Sequence, residues 1–359
     1  MPSLFDPMGT EKGLRLEPWY RAVKQGKLLP PIQACINPVH GCDLSCVGCE
    51  FAPDEGEERQ APVMMPDGHL VKLVEMLADW GVKTVTFGTV GEPTLHWELP
   101  RAIIRAFERG MGTTVITTSK TLPEATMDAI IEANSDVWVK IPAAKSATYE
   151  LITRMRAFYR VKDAAEAFRR RSTGNRPRVG WLFEITALNH DEVDYACHLA
   201  HDLHFDAFYA RPRAVGFAEN RPDAKGLTNG VGADDLERIA AECGQWETDK
   251  FRVTVAGRLQ PGGFHQCYAA PLVIHLGADG NVHFCHDQYG DPEYVIGRHH
   301  PKADKVATTV WGDKAHMNLL GADTPHWCDR DCSLGDYHRQ ARALVWESPD
   351  PLQQWQIIR

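Results

Sequence analysis

Gly41-Cys42-Asp43-Leu44-Ser45-Cys46-Val47-Gly48-Cys49 sets three thiols at Cys-x3-Cys-x2-Cys spacing on one short loop, just after an apolar run at 32–37 that reads as a strand. Three thiolates placed this way can ligate three irons of a cubane cluster and leave the fourth iron open to a small molecule. A structural zinc knot is the alternative. It takes four ligands in two pairs, and with His40 as the fourth the three-then-two spacing suits it poorly.

Some forty residues on, the β-rich run Thr84-Val85-Thr86-Phe87-Gly88 leads into Gly91-Glu92-Pro93-Thr94. Together with the cysteine loop this resembles the radical S-adenosylmethionine (radical SAM) enzymes. The resemblance implies a [4Fe-4S] cluster on Cys42, Cys46 and Cys49, whose open iron chelates the methionine end of S-adenosylmethionine. It also implies that the backbone of Gly91, Glu92 and Pro93 holds the cofactor's amino group. Two positions depart from the family: Val90 stands where a first glycine is usual, and Val47 where an aromatic residue is usual. Neither is a ligand.

From the loop onward, β-rich runs alternate with helical periodicity, the mark of parallel βα units. Strands are predicted at 32–37, 83–88, 113–118, 136–141, 179–187 and 206–211. Helices are predicted at 67–80, 98–109, 122–133, 146–171 (with a break) and 190–203. The fold class is α/β, and six such units make the partial (β/α)6 TIM-like barrel that the resemblance implies. Its active site belongs at the C-terminal ends of the strands.

The C-terminal cysteines follow an order of their own: Cys267, then Gly280-x4-Cys285, then Cys328-x3-Cys332. This resembles the SPASM and twitch extensions of radical SAM enzymes. Four cysteines suffice for one auxiliary [4Fe-4S] cluster, so the shorter twitch form fits; a zinc site on the same four thiolates is the alternative. The division expected is an N-terminal extension at 1–30, the barrel at 31–214, a Gly/Pro/Asn-rich linker at 215–232, a small α+β auxiliary-cluster domain at 233–345 and a tail at 346–359. Of the other thiols, Cys197 and Cys243 sit on helical stretches and read as buried and inert. Cys35 lies on the strand before the loop and can face the barrel interior.

Strand-end residues are candidates for contact with cofactor or substrate. Glu184 is a carboxylate in an apolar strand, which is costly without a partner; it reads either as a cofactor or substrate contact or as half of an ion pair. Asn189 matches an asparagine frequent after the fifth strand of relatives, where the resemblance implies cofactor binding, against a plain helix N-cap. Lys140, Arg211 and Arg213 could meet a substrate carboxylate or phosphate. Their other reading is solvent-facing charge.

Ten cysteines among 359 residues are too sparse for a secreted disulfide scaffold. A net charge of −9 argues against a surface adapted to coat nucleic acid. One segment runs the other way. Residues 154–178 hold nine Arg or Lys, either as the solvated face of a helix or as a contact for phosphates, so a nucleotide or nucleic-acid-linked substrate is the alternative. No stretch is apolar enough for a membrane span and no secretory signal opens the chain, which reads as cytoplasmic. The expectation is an enzyme that reductively cleaves S-adenosylmethionine to a 5′-deoxyadenosyl radical. That radical abstracts hydrogen from a C–H bond of a peptide or small metabolite, with oxidation, cross-linking or isomerisation as the result. A flavodoxin- or ferredoxin-like one-electron reductant would serve it. The contrasting class is a non-catalytic iron–sulfur carrier, which has no use for the Gly91-Glu92-Pro93 element.

Overall fold

A computed structural model describes residues 18–321 of the chain, apart from 23–24, 26, 54–57, 172–176, 214–221, 226, 228–230, 257–266 and 286. Cys328, Cys332 and the 346–359 tail therefore lie outside the described residues, as does most of the 215–232 linker.

The order of elements begins β1 (Gln33–Asn37), β2 (Val39–His40), β3 (Val63–Met64), α1 (His69–Trp80), β4 (Thr84–Phe87), α2 (Leu99–Glu108), β5 (Gly112–Thr117), α3 (Glu124–Glu132) and β6 (Asp136–Lys140). It continues with α4 (Ser146–Thr153), α5 (Phe158–Arg171), β7 (Val179–Ile185), α6 (Val193–Asp202), β8 (Ala207–Pro212), α7 (Ala233–Gly244) and β9 (Arg252–Val255). Last come β10 (Val273–Gly277), β11 (Asn281–His283), β12 (Val295–Arg298) and α8 (Lys314–Gly321). Among the described residues the main sheet has ten strands in the order β12-β11-β10-β1-β4-β5-β6-β7-β8-β9. The six strands expected from the sequence form its parallel centre. β9 joins β8 and β10 joins β1, both in parallel, while β11 and β12 return antiparallel.

Sequence explains the layers. On β1, Ala34 and Ile36 enter the core cluster under the helices, whereas Gln33 and Cys35 line the cavity on the other face. α1 buries Leu70, Leu73, Val74 and Leu77, one stripe at helical spacing, and stops at Gly81 in the left-handed region. The barrel interior is plugged below the strand ends by Trp138, Leu182, Ala207 and Tyr209. Gly180 makes room for that plug: a Cβ there would lie 2.4 Å from the Trp138 ring. Replacing Trp138 with alanine would cost about 3–5 kcal/mol. The expected helix at 146–171 breaks at Arg154, whose φ of 56° ends α4 in the left-handed region. Among the described residues no helix is long and apolar enough to cross a membrane.

Candidate active site at the strand ends

Cys42, Cys46 and Cys49 line one cavity at the C-terminal ends of the strands, together with Gly91, Thr117, Thr118, Lys140, Glu184, Asn189, Arg211, Arg213 and Asp287. The residues nominated for the first cluster, cofactor and substrate thus converge, except Glu92 and Pro93, which brace the cavity wall from behind; Cys267 and Cys285 do not line this cavity. The loop carrying the thiols is pinned by its backbone: the amides of Ser45 and Val47 donate to the carbonyls of Thr153 and Ile152 at 3.1 and 2.8 Å. The Cys49 amide closes a turn onto the Cys46 carbonyl at 3.1 Å.

Burial raises the thiol pKa of Cys42, and the nearby Glu92 carboxylate raises it further. Cys46 is pushed up to about 12, by burial first and by Cys49 next, against the opposing pull of Lys140 and Arg213. Thiolates here would need a cationic partner, such as a bound metal. Among the described residues no three His, Cys, Asp or Glu side chains gather as ligands to a single ion would. His40, the candidate fourth zinc ligand, instead accepts the Ala278 amide at 3.0 Å on Nε2 and meets the Tyr289 hydroxyl.

Gly91 has φ 70°, and a Cβ there would fall 2.0 Å from the Val39 carbonyl oxygen, so only glycine lets this turn lie against the cysteine loop. The Glu92 amide donates to the Gly41 carbonyl at 2.9 Å, and the Val90 amide to Asn37 Oδ1 at 2.9 Å. Glu92 is fully buried. Its Oε1 accepts the Thr94 amide and hydroxyl and the Thr117 hydroxyl at 3.1, 2.6 and 2.7 Å. Its Oε2 accepts the amide and hydroxyl of Thr118 at 2.8 and 3.0 Å. Burial raises the Glu92 pKa while these donors oppose the rise. The side chain is thus a rivet between the turn and the end of β5, and Gly91 is the residue of this turn that lines the cavity.

Glu184 forms ion pairs with Lys140 Nζ at 2.9 Å and Arg211 Nη2 at 3.0 Å. The three residues come from β6, β7 and β8. Burial alone would raise the Glu184 pKa, but Lys140, Arg211 and Arg213 outweigh it and hold the carboxyl well below its usual range. Arg211 Nη1 is buried with no hydrogen-bond partner. Arg213 donates to the carbonyls of Val47 and Gly48 at 2.7 and 2.9 Å, and so supports the cysteine loop. The Asn189 side chain does not cap a helix. Its Oδ1 accepts the Thr186 amide at 2.7 Å, and its Nδ2 donates to the carbonyls of Pro142 and Glu184 at 2.7 and 2.9 Å. It ties two strand ends together beside the cavity.

Other participants were not evident from the sequence. Phe51 offers the cavity an aromatic face and lies 5.5 Å from the His40 ring. Arg59 donates to the carbonyls of Cys42 and Leu44. Cys267 and Cys285, both half-buried, lie before β10 and after β11. Cys35 is buried on the cavity wall. In the basic segment, Arg154, Arg156, Arg171 and Arg178 pair with Asp223, Glu150, Asp128 and Asp136, so much of that charge is matched locally.

Residues 36–192 match the family model described as the radical SAM superfamily. A PqqA peptide cyclase from Granulibacter bethesdensis is 31% identical over 107 residues, covering 30% of this chain and 28% of that protein. A GTP 3′,8-cyclase from Chlorobaculum tepidum is 31% identical over 127 residues, covering 35% and 37%. The matches thus span well under half of these curated relatives. Among solved structures, Streptococcus suis SuiB bound to S-adenosylmethionine superposes with a TM-score of 0.65 at 16% identity, covering 84% of this chain and 70% of that one. Native anSMEcpe with bound AdoMet gives 0.59 at 14% identity, covering 81% and 83%. These two likenesses are of fold.

Proposed function

We propose, from the match of residues 36–192 to the radical SAM superfamily model, that the protein is a radical SAM enzyme acting on a C–H bond of a peptide substrate. The observation that carries this reading is the convergence of the three thiols and the Gly91 turn on one cavity that also holds the Lys140–Glu184–Arg211 cluster. A [4Fe-4S] cluster with S-adenosylmethionine, held by Cys42, Cys46 and Cys49, supplies one-electron cleavage of the sulfonium and a carbon radical that abstracts hydrogen.

The protein's own part is positioning. The Gly91-Glu92-Pro93 turn, locked by the Glu92 hydrogen bonds and facing the cavity through Gly91, would hold the cofactor's amino group beside the thiol loop. Glu184 is ionised and already neutralised by two cations, so the triad retains one net positive charge. Lys140, the most exposed of the three, makes that charge available to a carboxylate or backbone carbonyl of the substrate. The buried cluster of Trp138, Leu182 and Tyr209, which reaches the cavity through Leu182, would help exclude water from beneath a bound substrate. A second cluster on Cys267, Cys285, Cys328 and Cys332 is part of the same proposal. Held by four thiolates, such a cluster would supply electron relay rather than a binding site for substrate.

Peptide is preferred as substrate because the relative from Granulibacter is named for one and a SuiB structure of the same fold holds its precursor peptide. The relative named as a GTP cyclase supports a nucleotide as the second reading. Substrate-stimulated release of 5′-deoxyadenosine separates them. Stimulation by peptides, and none by nucleoside triphosphates, is the expected result; the reverse would overturn the peptide assignment.

A further inference from the structure

The cysteine loop is gripped on its carbonyl side by three cations from three distant parts of the chain. Arg59 donates to the carbonyl of Cys42, to that of Leu44 at 2.9 Å and to the Ser45 hydroxyl. Lys120, just beyond β5, donates to the Asp43 carbonyl at 2.6 Å. Arg213, just beyond β8, donates to the carbonyls of Val47 and Gly48 at 2.7 and 2.9 Å. Five carbonyls between Cys42 and Gly48 therefore face a positive charge. Water would satisfy the exposed ones equally well. Three cations in its place concentrate charge around the thiols.

The three are not equivalent. Lys120 lies 3.6 Å from the Asp43 carboxylate, which also accepts the Thr121 hydroxyl at 2.7 Å, so that pair is close to neutral. Among the described residues neither Arg59 nor Arg213 forms an ion pair. A guanidinium does not lose its proton in the working pH range, so the charge of both is permanent.

We propose that Arg59 and Arg213 are positioning residues that also act electrostatically, raising the reduction potential of the cluster held by Cys42, Cys46 and Cys49. The Lys120–Asp43 pair is a neutral clamp on the same loop. The inference rests on those thiols being the cluster ligands. Taking up one electron, with no proton, makes the cluster and its thiolates one unit more negative. Fixed positive charge beside it therefore favours the reduced form, since cluster potential follows net charge and local environment. The electron is delivered by an external one-electron reductant, dithionite in the experiment that follows.

An EPR-monitored redox titration of the reconstituted full-length chain, with iron content and the rate of iron loss to EDTA measured alongside, tests the proposal. At a fixed solution potential near the wild-type midpoint, Arg59→Gln and Arg213→Gln should each show a several-fold smaller ratio of reduced to oxidised cluster. Arg213→Lys keeps the charge but cannot span two carbonyls, so it should restore the ratio while losing iron faster. The double variant Asp43→Asn/Lys120→Met, which removes a neutral pair, should leave the ratio unchanged and speed iron loss. Arg59 is exposed, so a shift in Arg59→Gln with an unaltered circular dichroism spectrum does not reflect unfolding. Normal iron content with unshifted titrations in both glutamine variants would overturn the proposal alone. A wild-type chain that takes up no iron would overturn the ligand reading, and the proposal with it.

Discussion

Glu92 and Thr118 are joined twice: one carboxylate oxygen accepts both the backbone amide and the hydroxyl of Thr118, at 2.8 and 3.0 Å. The turn that faces the cysteine loop and the end of β5 are consequently one rigid piece. Every group around the Glu92 carboxylate is a donor. Glu92→Gln therefore places an amide NH2 against donors and leaves buried groups unmatched, at a cost of about 1–3 kcal/mol. Anaerobic urea unfolding should show the lower midpoint, with weaker S-adenosylmethionine binding by equilibrium dialysis. An unchanged midpoint would contradict the rivet.

Gly91→Ala adds a single methyl where a Cβ would meet the Val39 carbonyl at 2.0 Å in a left-handed backbone. The turn must move off the loop. Binding of S-adenosylmethionine should fall at least tenfold, with a smaller loss of thermal stability because the sheet beneath is untouched. Wild-type affinity in this variant would mean that the turn does not touch the cofactor.

Glu184 gives stability a pH dependence. Its folded-state pKa is depressed by Lys140, Arg211 and Arg213 in excess of the burial that opposes them. The unfolded carboxyl titrates at about 4.3. The contribution is therefore fully present above about pH 5 and is lost as pH falls below the unfolded value. Glu184→Gln should cost about 3 kcal/mol at neutral pH, the low end for breaking a buried pair, because Lys140 is 37% exposed and can rehydrate. The variant should also flatten the stability profile between about pH 5 and pH 3. A profile as steep as the wild type would show that other carboxylates set it.

The cysteines separate into two sets by iron count. Reconstituted wild type should carry about eight irons, the Cys42/Cys46/Cys49→Ala triple variant about four, and Cys328→Ala about four with S-adenosylmethionine cleavage retained. Zinc in place of the second four irons would replace the auxiliary cluster by a structural staple.

The six central strands were legible because strands buried on both faces read as short apolar runs between helical stripes. The thiols were legible because cluster ligation demands fixed spacing, and the Gly91 turn through its resemblance to the family's element. What escaped was non-local. Nothing in Val273–Gly277 announces that it will pair in parallel with Gln33–Asn37. Arg154 ends a helix in a left-handed conformation that its side chain does not favour. Arg213, read as a substrate contact or solvent-facing charge, donates to the carbonyls of Val47 and Gly48, and a carbonyl leaves no mark in sequence. Arg59 and Lys120 were invisible for the same reason. The pairing of Lys140 with Arg211 through Glu184 was half visible: a carboxylate in an apolar strand needs partners, but only the sheet order names them.

The most direct test of radical SAM activity is production of 5′-deoxyadenosine from S-adenosylmethionine by the anaerobically reconstituted chain with dithionite, beside Cys42→Ala. Wild type should give product, and the variant none above background. Equal product from both, or none from a wild type that carries its full iron, would contradict the assignment.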